Sequence, residues 1–307
     1  MKPLKKIWFN GKFINWKDAK IHILTHALHY GTAIFEGMRC YETVHGPAIF
    51  RMKEHYTRFS NGIKAYQFKL DYDVDELIKI TEKLVIKNNV KSCYIRPICY
   101  MASERLGLGM VENDKFGLAI MALDFGRYFG SKTDKGITCE ISSWKRISST
   151  TLSPHVKASA NYLNSVLARF EATNAGYDET IMLSEEGHVS EGSAENIFIV
   201  KNGEIVTPPL YDGVLAGVTR DSIIEIAKEE GMVVKERSIL RDELYTADEV
   251  FLCGTAAEII PVIGIDKRKI GKGPGPVTKE ITDSFRTIVS GKDERFSKWL
   301  DYVKYKK

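Results

Sequence analysis

Short stretches of alternating apolar and polar residues open the chain. Residues 6–9 (Lys-Ile-Trp-Phe) and 12–14 (Lys-Phe-Ile) flank Asn10-Gly11. An Asn-Gly pair between two such runs predicts a hairpin with a two-residue turn. The period then changes. Tyr56, Phe59, Ile63 and Tyr66 fall on one side of a helix predicted over residues 54–66,. Asp73 and Glu76 make a capping box that opens a second helix, with Leu77, Ile78, Leu84 and Val85 facing inward,. Residues 92–101 and 117–123 read as core strands. Gly126-Arg-Tyr-Phe-Gly130 breaks this pattern and residues 131–136 are polar, so a linker is expected over 126–136. It would join a small N-terminal domain, 1–125, to a larger C-terminal one, 137–307.

The second block mixes strands and helices again. Asn202-Gly203 predicts a hairpin between 197–200 and 204–206,. A helix is expected over 221–230, stopped by Gly231, and another over 278–290,. Phe296, Trp299, Leu300 and Val303 have the spacing of one helical face,. The order of elements lacks the regular alternation of a doubly wound sheet, so the fold class is read as α+β with two domains.

Composition narrows the function classes. At 307 residues with a net charge of +4, the chain has the balance of a soluble globular protein,. No run approaches the roughly 20 apolar residues of a membrane helix, and the start lacks the apolar core of a secretion signal. A cytoplasmic protein with no membrane partner is expected. The basic tail 304–307 reads as solvated lysines and not as a nucleic-acid site. The five cysteines are scattered and read as reduced core residues, with a Cys93–Cys99 redox pair as the lesser alternative.

Four runs change the picture: Lys157-Ala-Ser-Ala-Asn-Tyr162, Ser190-Glu-Gly-Ser-Ala-Glu-Asn196, Leu215-Ala-Gly-Val-Thr-Arg220 and Gly254-Thr-Ala-Ala-Glu-Ile259. A lysine is ordinarily a solvated surface group. Lys157, however, stands among small residues at the entry to a helical pattern (Tyr162, Leu163, Val166, Leu167, Phe170). The second run sets a carboxylate in a small-residue turn before the apolar residues 197–200. An amine able to form a Schiff base and an acid able to hold a pyridinium nitrogen are what pyridoxal 5'-phosphate (PLP) asks of a protein. Gly217, Val218 and Thr219 precede the expected 221–230 helix, and free amides at a helix N-terminus, with a threonine hydroxyl, make an anion site. The plainer alternative is an ordinary capped helix.

In that order the four runs resemble the branched-chain amino acid aminotransferases of the fold-type-IV PLP enzymes. The resemblance spans nearly the whole chain, through Ile7-Trp-Phe-Asn-Gly11, His26-Ala-Leu-His-Tyr-Gly31, Phe35-Glu-Gly-Met-Arg39, Tyr94-Ile-Arg-Pro97 and Gly275-Pro-Val-Thr278. It implies a ping-pong exchange of amino groups between L-leucine, L-isoleucine or L-valine and 2-oxoglutarate. The cellular role would be the last step of branched-chain synthesis or the first of breakdown. Lys157 would be the Schiff-base lysine and proton shuttle, and Glu191, in preference to Glu195, the partner of the ring nitrogen. Arg58, Gly217, Val218, Thr219 and Thr255 would hold the phosphate. Leu215 would pack on the ring and Tyr162 bond its 3' oxygen. The substrate pocket would take in Phe35, Gly37, Arg39, Tyr94, Arg96, Phe125, Tyr128, Thr255 and Ala256. Within it, the Thr255 and Ala256 amides and the Tyr94 hydroxyl would meet the α-carboxylate, and Arg96 with Tyr128 the distal carboxylate of glutamate. Tyr30 and the loop 105–110, ending at Met110, would come from a neighbouring subunit, which implies a homodimer or a larger assembly of dimers.

Ala160, Ala194, Ala216 and Phe125 depart from the usual residues of that family and touch substrate preference rather than cofactor chemistry. His26-x-x-His29 lacks a third metal ligand, so no metal is expected. The glycine-rich run 271–276 carries prolines in place of donor amides and does not read as a phosphate loop. The rivals are a D-amino acid transaminase or aminodeoxychorismate lyase of the same fold, or a silent binding protein built on it.

Overall fold

A computed structural model describes residues 2–271 and 273–305. Lys272 of the glycine-rich run and Lys306 and Lys307 of the basic tail lie outside the described residues. The chain forms two compact units. The first gathers Val156–Ala160 and the segment from Ile288 onward onto the residues up to Gly126. The second comprises Arg127–His155 and Asn161–Thr287. The expected partition into 1–125, 126–136 and 137–307 treats the chain as continuous blocks, whereas these units exchange two segments across it.

The first unit is built on a nine-stranded sheet whose strand pairs all run antiparallel. The Lys6–Phe9 and Lys12–Asn15 strands form the expected hairpin, and the positive φ of Asn10 and Gly11 gives it the turn that suits twisted strands,. Cys93–Met101 and Phe116–Asp124 pair along their full length at the centre. Helices Met52–Ala65 and Val74–Asn88 pack on this sheet. Tyr56, Phe59, Leu77 and Leu84 are buried there with Ile95 and Ile120. The Asp73–Glu76 capping box forms in both directions.

The C-terminal stretch departs from expectation. Phe296, Trp299, Leu300 and Val303 are buried, but as a 3₁₀ turn, Glu294–Trp299, followed by the strand Leu300–Tyr302. That strand pairs with Gly46–Phe50. The edge of Gly46–Phe50 offers unpaired backbone groups, and satisfying them outweighs one further turn of helix.

The second unit holds a mixed nine-stranded sheet. Its Asn202-Gly203 hairpin forms as expected, joining Asn196–Lys201 to Glu204–Thr207. The Val218–Glu229 helix starts three residues earlier than its side-chain pattern suggests, because Gly217 serves as N-cap without a capping side chain. In the Tyr162–Asn174 helix the inward face is small, formed by Ser165, Ala168 and Ala172. Leu163, Val166 and Phe170 point outward and are 64%, 59% and 65% exposed. All five cysteines are free and buried. Cys93 and Cys99 lie on one strand, roughly 20 Å apart at strand spacing, which rules out a bond between them. Among the described residues no helix is long and apolar enough to cross a membrane.

Candidate active site

Lys157 is stitched to the first sheet. Its carbonyl accepts from the Phe35 amide at 3.0 Å, and Ala158 bridges to Ile34. The half-buried lysine places its ammonium 5.3 Å from the centre of the Phe35 ring. Arg96 lies over the same ring at 4.5 Å and donates to the Tyr94 hydroxyl at 2.7 Å. Tyr94 stacks on Phe125 with ring centres 5.0 Å apart, and the Arg39 guanidinium is 5.4 Å from the Phe125 ring. Gly37 is required here, because a Cβ at that position would overlap the Tyr94 hydroxyl. One wall thus brings together Phe35, Gly37, Arg39, Tyr94, Arg96 and Phe125 beside Lys157. It is aromatic with cationic groups on it, and the Nε of Arg96 is buried without a hydrogen-bond partner among the described residues. A buried donor in that state fits an anionic ligand.

Arg58, expected from the sequence, stands in a cluster with two residues that sequence reading missed, Glu36 and His55. Glu36, fully buried, accepts from Arg58 through Nε at 2.6 Å and NH2 at 2.9 Å, and from His55 Nδ1 at 2.9 Å. Burial pushes the Glu36 carboxyl up, but the Arg58 charge and the His55 hydrogen bond outweigh it and hold the group well below the usual carboxylate range,. Burial pulls the His55 imidazole down against the pull of Glu36, with Arg58 and Lys157 adding to the decrease. Glu36 sits inside the run 35–39. His55 stands three residues before Arg58 on one helix, a spacing that places both on the same side and offered the only signal.

Tyr30 and Met110 stand apart from that wall. Tyr30 lies tilted against His26 with ring centres 4.5 Å apart and accepts from the Gly107 amide at 3.2 Å. Arg105 folds its loop by pairing with Asp114 and donating to the Gly107 carbonyl, which leaves Met110 exposed. The His26 ring meets Thr32 and the Gly107 carbonyl, and His29 meets the Ile23 carbonyl, so both imidazoles have hydrogen-bonding roles.

In the second unit Glu191 lies on the strand Val189–Gly192. One oxygen faces Arg146 NH2 at 2.8 Å. The other accepts from Asn196 Nδ2 at 3.1 Å and from the Leu215 amide at 3.0 Å. Arg146 and Glu191 are both buried, and Arg146 Nε donates to the Gly213 carbonyl at 3.3 Å. Asn196 also donates to the Leu215 carbonyl, and a Cβ on Gly217 would overlap the Asn196 side-chain oxygen. Glu191, Leu215 and Gly217 therefore form one cluster with two residues not anticipated, Arg146 and Asn196. Arg146 sits in a stretch without regular structure and carries no local signal. Asn196 closes the run 190–196.

Val218 and Thr219, both buried, begin the helix at Gly217. Gly217 supplies no side-chain cap to the helix, whose dipole has its positive end at these residues,. Thr255 and Ala256 form the turn after Glu249–Gly254, where Gly254 approaches the Ala194 carbonyl in the loop after Glu191. Glu195 accepts from the Ala194 amide within that loop. Tyr162 is the half-buried first residue of its helix. Tyr128 is exposed, edge-on to Phe129 at 4.9 Å. These groups fit a phosphorylated pyridine: a held carboxylate, a helix start with a hydroxyl, and a small-residue cradle.

Residues 33–265 match the family described as amino-transferase class IV. The branched-chain-amino-acid aminotransferases of Salmonella typhimurium and Escherichia coli K12 are 44% and 43% identical to this chain over 97% of each sequence. The crystal structure of the Escherichia coli branched-chain amino acid aminotransferase superposes with a TM-score of 0.96 at 42% identity, covering 98% of this chain and 100% of that one. The branched-chain amino acid aminotransferase of Thermobaculum terrenum, solved in its PLP form, gives 0.93 at 35% identity, covering 99% of this chain and 100% of that one. The α+β, two-sheet architecture is that of the fold-type-IV aminotransferases. The chain belongs to the class IV aminotransferases and, within them, to the branched-chain-amino-acid aminotransferases.

Proposed function

We propose that this protein uses pyridoxal 5'-phosphate to exchange amino groups between L-leucine, L-isoleucine or L-valine and 2-oxoglutarate in a ping-pong cycle. The observation that carries this reading is the wall of Phe35, Tyr94 and Phe125 with Arg96 lying over it. One pocket must accept an aliphatic side chain in one half-reaction and a carboxylate in the other, and an apolar lining with a cation at its edge serves both.

When bound, PLP supplies the electron sink that stabilises negative charge at the substrate Cα. Lys157 holds the cofactor and, once released as a neutral amine, carries the proton away from Cα and returns it. Glu191 keeps the ring nitrogen protonated, and its three partners fix where that carboxylate points,. Thr219, with the amides around Gly217 and Val218, takes the phosphate at a helix N-terminus, assisted by Arg58 and Thr255. Leu215 packs against the ring and Tyr162 bonds its 3' oxygen. Tyr94 and the Thr255 and Ala256 amides bind the α-carboxylate. Arg96 and Tyr128 answer the distal carboxylate of glutamate, and Arg39 completes the pocket with Gly37. Tyr30 and the loop ending at Met110 complete the site of a neighbouring subunit, so the working form is a homodimer or an assembly of dimers, acting in the cytoplasm.

The test is the absorption spectrum of the purified holoprotein. A visible cofactor band that fades with L-leucine and returns with 2-oxoglutarate is expected. A band that ignores L-leucine and responds to D-alanine overturns the substrate reading. No band after PLP is added overturns the cofactor reading as well.

A further inference from the structure

Glu36 has no route to water and four hydrogen bonds. Besides Arg58 Nε and NH2 and His55 Nδ1, it accepts from the Gly37 amide at 3.0 Å. An ionised carboxylate offers about four acceptor positions and no hydrogen; among the described residues, Oε2 takes three donors and Oε1 takes one. Because the carboxylate only accepts, the His55 Nδ1 carries the hydrogen. Burial lowers the pKa of this imidazole against the pull of Glu36. The opposite charges of Glu36 and Arg58 are paired within the cluster.

This arrangement does one thing well. A two-pronged carboxylate contact fixes the plane of a guanidinium, which a single contact does not. Glu36 takes the Nε–NH2 edge of Arg58 and so fixes the plane in which the whole guanidinium lies. The support is tied to the lysine too. Glu36 follows Phe35, whose amide bonds the Lys157 carbonyl. One short backbone segment therefore sets both the arginine's orientation and the lysine's position.

We propose that Glu36 and His55 are positioning residues that aim Arg58 at the cofactor phosphate, so that phosphate recognition depends on two side chains that touch neither cofactor nor substrate. This rests on the reading of Arg58 as a phosphate contact.

The experiment compares the affinity of the cofactor-stripped full chain for PLP and for pyridoxal, which lacks the phosphate. The parent protein prefers PLP. Glu36→Gln removes the charge and turns one of the two accepting oxygens into a donor NH2, and is expected to weaken PLP about 10- to 100-fold while shifting pyridoxal by less than about threefold. His55→Leu is expected to cost PLP about tenfold. His55→Asn, whose amide presents a donor near the place of Nδ1, restores most of that loss. Should Glu36→Gln fail to fold, the two His55 variants carry the test unaided. Equal weakening of PLP and pyridoxal, or an unchanged preference for PLP, overturns the positioning role while leaving the cofactor reading intact. A parent protein that binds PLP no better than pyridoxal overturns the Arg58 reading and the proposal with it.

Discussion

Each unit hides a carboxylate beside an arginine, and the two differ in how fully the chain satisfies them. Glu36 in the first unit receives four hydrogen bonds, from Arg58 twice, His55 and the Gly37 amide. Glu191 in the second accepts two, from Asn196 and the Leu215 amide, and is ion-paired with Arg146. Among the described residues, Glu36 is therefore hydrogen-bonded by more donors than Glu191. The more fully bonded acid is the one that supports its neighbours, and the other is the one read as meeting the ring nitrogen. Counting donors thus separates a carboxylate that works through others from one fit to meet a ligand, although both are buried, arginine-paired and close to family motifs.

The strongest way to break this comparison is to neutralise each acid. Glu191→Gln should lower kcat with L-leucine by about 10³-fold at saturating PLP, whereas Glu36→Gln at saturating PLP should keep most of its turnover. Equal losses in steady-state assays would erase the distinction. Glu36→Gln should instead show its effect in denaturant unfolding, as a loss of about 3–5 kcal/mol, because the half-buried Arg58 is left with a poor partner,.

A smaller effect tests the fixed aim of Glu191. In Gly217→Ala the new methyl displaces the Asn196 side chain that steadies both Glu191 and Leu215. We expect about 1–3 kcal/mol of lost stability and a fall in kcat larger than the rise in KM. A variant indistinguishable from the parent in both would mean that Asn196 does not orient the acid.

The smallest effect extends the ranking downward. Asp301 is half-buried and accepts from one chain donor among the described residues, the Met52 amide at 3.0 Å. Burial pushes its carboxyl up to about 6, the amide offsetting part of the rise. A carboxyl whose folded pKa exceeds the unfolded value of about 4 favours the fold in its protonated form. Its contribution is therefore complete below about pH 4 and lost as pH rises through about 6. In thermal melts between pH 4 and 7, the parent protein should lose stability relative to Asp301→Asn as pH increases. Parallel curves would show that Asp301 titrates normally.

Much of the fold is legible wherever one segment specifies its own shape. Both Asn-Gly hairpins, the capping box at Asp73 and the inward face of Tyr56, Phe59 and Ile63 depend on neighbours within a few residues. The C-terminal stretch departs from its helical reading because its partner strand, Gly46–Phe50, lies about 250 positions upstream, and a spacing of three and four suits a helix as readily as a 3₁₀ turn followed by a strand. The candidate site is legible as runs but not as pairings. Lys157, Glu191 and Gly217 announce themselves by the residues beside them. Arg146 gives no sign, because what marks it is a contact with a side chain 45 positions on. His55 looks like one more polar residue on an amphipathic helix until Glu36 is seen to lie against it.

The returning C-terminal strand has a consequence for synthesis. Leu300–Tyr302 covers the edge of Gly46–Phe50, Trp299 accepts from the Arg51 amide at 2.7 Å, and Asp301 accepts from Met52. While the ribosome is still making the middle of the protein, none of these partners exists. The helix that carries His55 and Arg58 lacks its anchor throughout that time, and a strand edge able to pair with other nascent chains stays open. The part of the protein made first is therefore among the last to be finished, and crowded polysomes, more than the folded enzyme, set the conditions under which this chain is most exposed to aggregation.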